Sequence, residues 1–202
     1  MSRPPAYHEA TLAYYAEHAR AYAAESPATP DPRLDTFLDR LPRGGRILEL
    51  GCGGGRDAAA MLARGFDVDV TDGSPAMAAE AGARLGYPVR VMRFDELDAD
   101  AAYDAVWAQA SLLHVPKAAL AGVLHRVFRA LKPGGLHFAS FRGGMLEGHD
   151  ALGRYFNYSS PETIRDAYRS AAPWASIYVE TGEGPERSGA IVPKVAVTAL
   201  KK

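Results

Sequence analysis

The chain has 202 residues, of which 48% are hydrophobic and 23% charged, a composition typical of one globular domain with a sizeable core. Its 23 lysines and arginines nearly balance its 24 aspartates and glutamates, so no overall charge draws it to nucleic acid or an anionic membrane. No apolar run approaches the roughly 18 residues of a membrane span, and the first residues lack a signal peptide's apolar core. We therefore expect a cytoplasmic protein.

An N-terminal helix is predicted over residues 6–24, which are rich in alanine. Five residues recur at spacings of three or four and share one side of it: Tyr7, Thr11, Tyr14, His18 and Tyr22. This face is either a half-buried packing surface or a lid over a ligand. Residues 25–32 form a proline-containing linker to a second helix with an apolar stripe at Leu34, Phe37, Leu38 and Leu41.

The stretch from Arg46 to Asp57 is the most informative part of the sequence. Its first residues, 47–50, suit a buried parallel strand, and four glycines follow within five positions, at Gly51, Gly53, Gly54 and Gly55. A helix pattern then runs to Gly65. A strand, a glycine loop and a helix in this order bind ligands, because bare backbone allows close approach and the helix start offers N–H donors.

Two ligand classes match this loop. A dinucleotide fingerprint can be threaded through Gly53, Gly55 and Ala58, which would suit a nicotinamide or flavin cofactor. The better match is Glu49-Leu-Gly-Cys-Gly-Gly-Gly55, which resembles the first motif of the class I S-adenosylmethionine-dependent methyltransferases. Cys52, the only cysteine, excludes an internal disulfide, and we interpret it as a small side chain tolerated by the loop rather than a nucleophile.

A second strand over residues 66–71 leads to Asp72, about twenty residues after the first glycine, where an acid in a doubly wound fold can accept both ribose hydroxyls. Asp67 and Asp69 compete for this role, and Asp72 could instead be only a helix N-cap. The sequence Val70-Thr-Asp-Gly-Ser-Pro-Ala-Met77 resembles the second motif of the same family, which favours Asp72.

A helix from Met77 to Leu85 and a third strand over residues 87–92 follow. In the family an acidic residue after this strand commonly accepts the adenine amino group. This chain departs from that pattern with Arg93, so the resemblance assigns adenine contacts to Phe94 and Asp95, although a solvated acidic loop is the alternative.

The fourth strand, over residues 103–109, ends in a segment similar to the family's fourth motif, which lines the cleft between cofactor and acceptor. The cleanest helix pattern covers residues 116–131, and Leu131-Lys-Pro-Gly-Gly135 is a frequent family signature before a fifth strand at 136–141. After a loop at 142–150 and a short extended piece at 154–158, a helix begins with capping-box spacing at Ser160.

Two apolar-alternating strands, at residues 174–181 and 191–200, close the chain and should pair antiparallel because their connection is short. We predict an α/β, Rossmann-like, doubly wound sheet of seven strands, mostly parallel with an antiparallel C-terminal hairpin. A dinucleotide dehydrogenase would instead continue as strand, helix, strand. We expect residues 1–202 to form one methyltransferase domain, with a helical cap at 1–42, a cofactor-binding core at 43–141 and a substrate-side region at 142–202.

The resemblance implies S-adenosyl-L-methionine as cofactor and S-adenosyl-L-homocysteine as product. It also implies a set of cofactor-binding residues, namely Tyr14, Tyr22, Glu49, Gly51, Cys52, Gly53, Arg56, Asp72, Gly73, Met77, Phe94, Asp95 and Gln109. Among them Arg56 could pair with the methionine carboxylate, or be a solvated arginine of the first helical turn. The helix carrying Tyr14, Tyr15 and Tyr22 matches the family's tyrosine helix, which covers the methionine end of the cofactor.

For the methyl acceptor, the sequence indicates candidate binding and catalytic residues without selecting among them. His114 follows the fourth strand and could be a general base or a structural histidine. Candidate acceptor-pocket residues are Tyr15, Arg142, Tyr155 and Tyr158. We expect no metal site, because the histidines lack ligand spacing.

The predicted acceptor is a small molecule. Gln109-Ala-Ser-Leu112 stands where base-modifying and glutamine-modifying enzymes carry an Asn-Pro-Pro-Tyr-like segment, and the resemblance to small bacterial methyltransferases, including the tellurite-resistance type, agrees. We expect no nucleic-acid or membrane partner, and a monomer or homodimer. The alternatives are an NAD-dependent oxidoreductase and a catalytically silent cofactor-binding protein of the same fold.

Overall fold

The computed structural model describes residues 5–27, 29–185 and 189–202. Its helices are α1 Glu9–Ala24, α2 Leu34–Leu38, α3 Arg56–Ala63, α4 Pro75–Leu85, α5 Lys117–Ala130 and α6 Pro161–Ala171, with 3₁₀ turns at Phe94–Glu96 and Leu112–His114. Its strands are β1 Arg46–Leu50, β2 Asp67–Asp72, β3 Arg90–Val91, β4 Tyr103–Ala108, β5 Leu131–Arg142, β6 Gly148–His149, β7 Tyr155–Phe156, β8 Ser176–Pro185 and β9 Ile191–Leu200.

Seven strands form the main sheet in the order β3-β2-β1-β4-β5-β9-β8. The first five are parallel, whereas β9 pairs antiparallel with both β5 and β8. The predicted fold class is therefore confirmed, including the antiparallel hairpin that argues against a dinucleotide dehydrogenase. The strands β6 and β7 form a separate two-stranded ribbon.

Three strands differ clearly from the sequence prediction, and one of them is β8, which extends to Pro185 instead of ending at residue 181. The third strand is only two residues long, because Pro88 has no N–H to donate and the Tyr87 N–H donates to Gly82 instead. The fifth strand begins earlier, at Leu131, and bulges between Tyr103 and Ala105 of its partner β4. None of these three differences moves the carboxyl ends of β1, β2 and β4, which border the site.

Alternating side chains of the central strands divide the core between the two faces of the sheet. Leu48 and Val106 point into the cluster covered by α5 and α6, whereas Ile47 and Trp107 point into the cluster covered by α2 and α3. Glu49 shares the strand face of Ile47, so this carboxyl side chain is directed toward α3 and is only 3% exposed.

Helix α1 packs against α4 and reaches the ribbon formed by β6 and β7. The hydroxyl oxygen of Thr11 accepts a hydrogen bond of 2.8 Å from the backbone N–H of Tyr155, which joins the first helix to a strand 144 positions later. The N-terminal helix is thereby fixed beside the carboxyl edge of the sheet. In the part of the chain that the structure describes, no helix has the length and apolar character needed to cross a bilayer.

Candidate active site

A cleft of about 730 Å³ opens at the carboxyl ends of β1, β2 and β4. The strand order reverses at β1, because β2 and β3 follow on one side of it and β4 and β5 on the other. Such a switch point is where doubly wound sheets bind ligands. The loop after β1 is tied to β2 by the N–H groups of Gly51 and Cys52, which both donate to the carbonyl of Thr71 at 3.0 and 2.9 Å.

The glycine at the end of β1 is required sterically. Gly51 has φ +77°, and a Cβ at this position would lie 2.6 Å from the Cβ of Ser111, which follows β4. Ser111 is itself held there, because its hydroxyl donates to the carbonyl of Leu50. The end of β1 and the segment after β4 therefore approach so closely that no side chain fits between them.

Asp72 ends β2 and faces the glycine loop. Its two carboxylate oxygens accept hydrogen bonds from the N–H of Gly53 at 3.0 Å and the N–H of Ser74 at 2.9 Å. Burial raises the pKa of Asp72 to about 6, although these two N–H groups oppose the shift. Ser74 is the N-cap of α4, since its Oγ accepts from the N–H of Met77, so the interpretation of Asp72 as that N-cap is wrong.

Glu49 is the most deeply buried acid of the cleft. Its Oε2 has no hydrogen-bond partner among the described residues. Burial, followed by the charges of Asp57 and Asp72, raises its pKa well above the usual range. An unpartnered buried carboxyl facing a cleft is a binding group for a cationic or hydrogen-bonding ligand.

Asp57, in the first turn of α3, connects three residues that border the cleft or its core. It accepts from Trp107 Nε1 at 2.9 Å, from the N–H of Asp31 at 3.1 Å and from Arg56 Nε at 2.8 Å. Arg56 lines the cleft with its Nε directed to this neighbour. Any pairing of Arg56 with a cofactor carboxylate would therefore use its terminal nitrogens.

Cys52 is buried in the loop between these acids. Burial raises the pKa of its thiol, and the nearby carboxyl of Glu49 adds to the shift. Because the thiolate is the reactive form, this residue is suited to filling space and not to nucleophilic attack.

His114 and Tyr15 line the cleft as a hydrogen-bonded pair. Tyr15 Oη lies 2.9 Å from His114 Nε2, and His114 Nδ1 lies 2.6 Å from the carbonyl oxygen of Tyr155. A carbonyl only accepts, so Nδ1 carries the proton and Nε2 accepts from the tyrosine hydroxyl. Burial lowers the pKa of His114 to about 4, so the ring is neutral at neutral pH.

Two arginines flank Phe156 beside this pair. The Arg142 guanidinium carbon lies 3.8 Å from the Phe156 ring centroid, and that of Arg154 lies 5.3 Å from it. Arg154 is bound by Asp150 through Nε at 2.9 Å and Nη2 at 2.6 Å. Arg142 and Arg154 are both among the residues that line the cleft.

Most of the predicted site residues lie along this single cleft. They are Tyr15, Tyr22, Glu49, Gly51, Cys52, Gly53, Arg56, Asp72, Gly73, Met77, Phe94, Gln109, His114 and Arg142. Four predicted residues do not line it: Tyr14, Asp95, Tyr155 and Tyr158. Each has another contact in the structure, with His18, Arg93, Glu147 and Phe156 respectively.

Three residues of the predicted face of the N-terminal helix line the cleft, namely Tyr7, Thr11 and Tyr22, whereas Tyr14 and His18 do not. Tyr15, and not its neighbour Tyr14, lies on the cleft side of α1, which also buries Ala19 and Ala23.

Sequence reasoning missed several cleft residues, most importantly Asp31, Ser111, Arg154 and Phe156. Two signals were present in the sequence: Ser111 lies in the segment similar to the family's fourth motif, and prolines on both sides of Asp31 indicate a rigid linker rather than a flexible one. Within the described ranges, no group of three or more potential ligands is placed to hold a metal ion.

A parallel sheet ending in an antiparallel hairpin, with a glycine loop and an acid at adjacent strand ends, defines the class I methyltransferase fold. Residues 47–135 match the family described as a methyltransferase domain. The resemblance to the class I S-adenosylmethionine-dependent methyltransferases read from Glu49–Gly55 is therefore confirmed, and the family match covers this segment of the chain.

The relatives agree on this family. A ubiquinone biosynthesis O-methyltransferase from Xanthomonas axonopodis pv. citri is 33% identical over 150 residues, which cover 66% of this chain and 61% of that protein. The chain therefore spans about 61% of the length of this curated relative.

Two solved structures share the fold. A SAM-dependent methyltransferase from Methanosarcina mazei has a TM-score of 0.75 at 18% identity, with 86% of this chain and 98% of that chain covered. The 1,6-didemethyltoxoflavin-N1-methyltransferase of Burkholderia thailandensis, solved with 1,6-didemethyltoxoflavin and S-adenosylhomocysteine, has a TM-score of 0.75 at 21% identity, with 100% and 93% covered.

Proposed function

We propose that this protein transfers a methyl group from S-adenosylmethionine to a small-molecule acceptor. The observation that carries the proposal is the bond between the two cofactor motifs, in which the Gly53 N–H donates to the Asp72 carboxylate at 3.0 Å. The glycine loop and the carboxylate that we assign to the ribose are therefore neighbours in the cleft. The cleft volume of about 730 Å³ suits a nucleoside-sized ligand.

The chain's own groups fit this cofactor. The buried, unpartnered Glu49 carboxyl suits the ammonium of the methionine moiety, and Asp72 suits the ribose hydroxyls. Met77 and Phe94 offer apolar surface for adenine, whereas Tyr22, Gln109 and Arg56 line the remainder. Tyr14 and Asp95 are left out of the proposed set, because neither side chain lines the cleft.

The bound cofactor supplies an activated methyl group on a sulfonium. The remaining work of the protein is to hold an acceptor atom in line with that methyl and to exclude water. Tyr15, His114 and Arg142 line the part of the cleft that we assign to the acceptor.

A small acceptor is supported by the names of two similar proteins, a ubiquinone biosynthesis O-methyltransferase and a 1,6-didemethyltoxoflavin-N1-methyltransferase. The near balance of 23 basic and 24 acidic residues also supports it, since nucleic-acid substrates favour a basic surface. A single domain over residues 1–202, a cytoplasmic location and a monomeric or homodimeric state are parts of the same proposal.

A thermal-stability titration tests the cofactor first. A ligand that binds only the folded state raises the melting temperature, so S-adenosylhomocysteine should raise it in a concentration-dependent way and NAD should leave it unchanged. A rise with NAD and none with S-adenosylhomocysteine would favour an oxidoreductase.

Turnover is the second test. The proposal expects S-adenosylhomocysteine to accumulate from S-adenosylmethionine with at least one acceptor from a chemically broad panel. Tight cofactor binding without product from any acceptor would favour the catalytically silent alternative.

A further inference from the structure

The side of the cleft opposite the glycine loop has its own chemistry. We call it the acceptor wall and define it by five residues: Tyr15, His114, Arg142, Arg154 and Phe156. All five line the cleft. They form one contact cluster, because the His114 ring lies 4.6 Å from the Phe156 ring and both guanidinium groups lie against that ring.

The ionised groups of this wall are cations. Arg154 has a side chain only 7% exposed, and its carboxylate partner Asp150 is not among the residues that line the cleft. Arg142 reaches the same ring from another strand and also lines the cleft. Two arginine residues therefore border this part of the cleft, and the Asp150 carboxylate that binds Arg154 is not among the lining residues.

His114 is poorly placed to remove a proton from a neutral acceptor. Its only lone-pair nitrogen, Nε2, already accepts the hydroxyl of Tyr15 at 2.9 Å. Its pKa is lowered to about 4 by burial and by the charges of Arg154 and Arg142, so protonating it is costly. The sequence-based role of His114 as a general base is therefore not favoured, and positioning Tyr15 suits it better.

We propose that the acceptor is an acidic small molecule, carrying a carboxylate or an acidic hydroxyl, that binds as the oxyanion against Arg142 and Arg154. This inference rests on the proposed methyl transfer. The acceptor loses its proton to solvent before or during binding. The oxyanion supplies the electron pair of the new O–CH3 bond as the S–CH3 bond breaks. The electron pair of the S–CH3 bond stays on sulfur, so the sulfonium becomes the neutral thioether S-adenosylhomocysteine.

The positive charge of the two arginines adds to the effect of burial in lowering the pKa of His114, and it also accounts for the preference for an anionic acceptor. Positive charge near a group favours its less protonated form, so guanidinium groups that disfavour an imidazolium stabilise an oxyanion at the same place. Arginine is suited to this because its planar fork of donors matches a carboxylate or phenolate oxygen. An acceptor delivered as the anion is already nucleophilic and needs no side-chain base.

Matched probes test the inference on protein saturated with S-adenosylhomocysteine. Benzoate and benzamide differ in charge and report a carboxylate preference, whereas 4-nitrophenol and 4-nitroanisole report a preference for an acidic hydroxyl. Isothermal titration should show at least one anion binding about tenfold or more tighter than its neutral partner, as expected for charge-assisted hydrogen bonds. The visible absorption of bound 4-nitrophenol should show the phenolate at a pH where the free probe is largely protonated.

Three variants locate the effect. Arg142→Gln should reduce the preference about tenfold, Arg142→Lys should retain most of it because the charge remains, and Arg169→Gln should keep it fully. Arg169 is the matched control, since its side chain is 66% exposed and lies outside the cleft. Unchanged S-adenosylhomocysteine affinity in Arg142→Gln shows that the fold is intact.

The outcomes separate the two proposals. Failure of wild-type protein to bind S-adenosylhomocysteine overturns the proposed function. If S-adenosylhomocysteine binds normally, three results overturn only the inference about the acceptor. They are equal binding of the neutral and anionic partners, no binding of either anion at millimolar concentration, and a wild-type preference in Arg142→Gln.

Discussion

The two sides of the cleft are built differently. The glycine-loop side comes from nearly contiguous residues, Glu49 to Asp57, together with Asp72 at the end of the neighbouring strand. The acceptor wall joins residues far apart in the chain: Tyr15 contacts His114 across 99 positions and Arg154 across 139. The first side is therefore fixed by local backbone geometry, and the second depends on the docking of α1 against the ribbon of β6 and β7.

This contrast predicts how each side responds to substitution. Changes in the glycine loop should act through backbone clashes and lost cofactor bonds, because its donors are main-chain groups. Changes in the acceptor wall should act through side-chain hydrogen bonds and charge, and leave the cofactor half intact.

The largest effect is expected from Gly51→Ala. The new Cβ would lie 2.6 Å from that of Ser111, and alanine would also be held at φ +77°. Overpacking and left-handed strain together should lower the free energy of unfolding by about 3 kcal/mol or more. Denaturant unfolding measures this loss.

Gly65→Ala separates the clash from the backbone strain. Gly65 has φ +80°, but a Cβ at this position would have no neighbouring atom within 4 Å, so only the strain of about 1 kcal/mol should appear. Equal losses in the two variants would show that the contact with Ser111 is unimportant.

The same contrast decides what the sequence could predict. The strand, glycine loop and helix from 46 to 63 follow from a short apolar run, four glycines and an alanine-rich segment, all local signals. The antiparallel hairpin followed from two alternating segments with a short connection. These features needed no knowledge of distant contacts.

Arg154 shows where sequence reasoning ends. Its neighbour Tyr155 was predicted for the acceptor pocket, but the structure brings Arg154 to the cleft instead, where Thr11 of α1 bonds to the strand that begins at Tyr155. Tyr14 and Tyr15 are adjacent, and the choice between them depends on which side of α1 packs inward, a tertiary fact. The glycine-loop side was therefore predictable in detail, whereas the acceptor wall was predictable only as a region.

Asp72→Asn should have the next largest effect, on cofactor affinity. Loss of charge-assisted bonds to the ribose should weaken S-adenosylhomocysteine binding by about 2 kcal/mol. In wild-type protein the affinity should also fall as pH falls through about 6, because burial raises the pKa of Asp72 to about 6 and the protonated acid is the poorer acceptor. Calorimetric titration across this pH range measures both.

Asp67→Asn is the matched control on the same strand. Its side chain is 61% exposed and pairs with Arg46 away from the cleft, so affinity should stay within about twofold of wild type. An Asp72→Asn variant that keeps wild-type affinity, or that keeps the wild-type pH dependence around 6, would remove Asp72 from the ribose site.

Tyr15→Phe should give the smallest effect and show that the acceptor wall is independent of the cofactor half. Burial raises the pKa of Tyr15, so its hydroxyl stays protonated and donates to His114. Removing it leaves His114 Nε2 without that donor and should lower the free energy of unfolding by about 1 kcal/mol.

Tyr14→Phe is the neighbouring control and should lower the free energy of unfolding by less. Tyr14 stacks on His18, and no hydrogen bond of its hydroxyl is found among the described residues. S-adenosylhomocysteine affinity should remain within about twofold in both variants, and a loss as large as that of Asp72→Asn would show that the two sides act as one site.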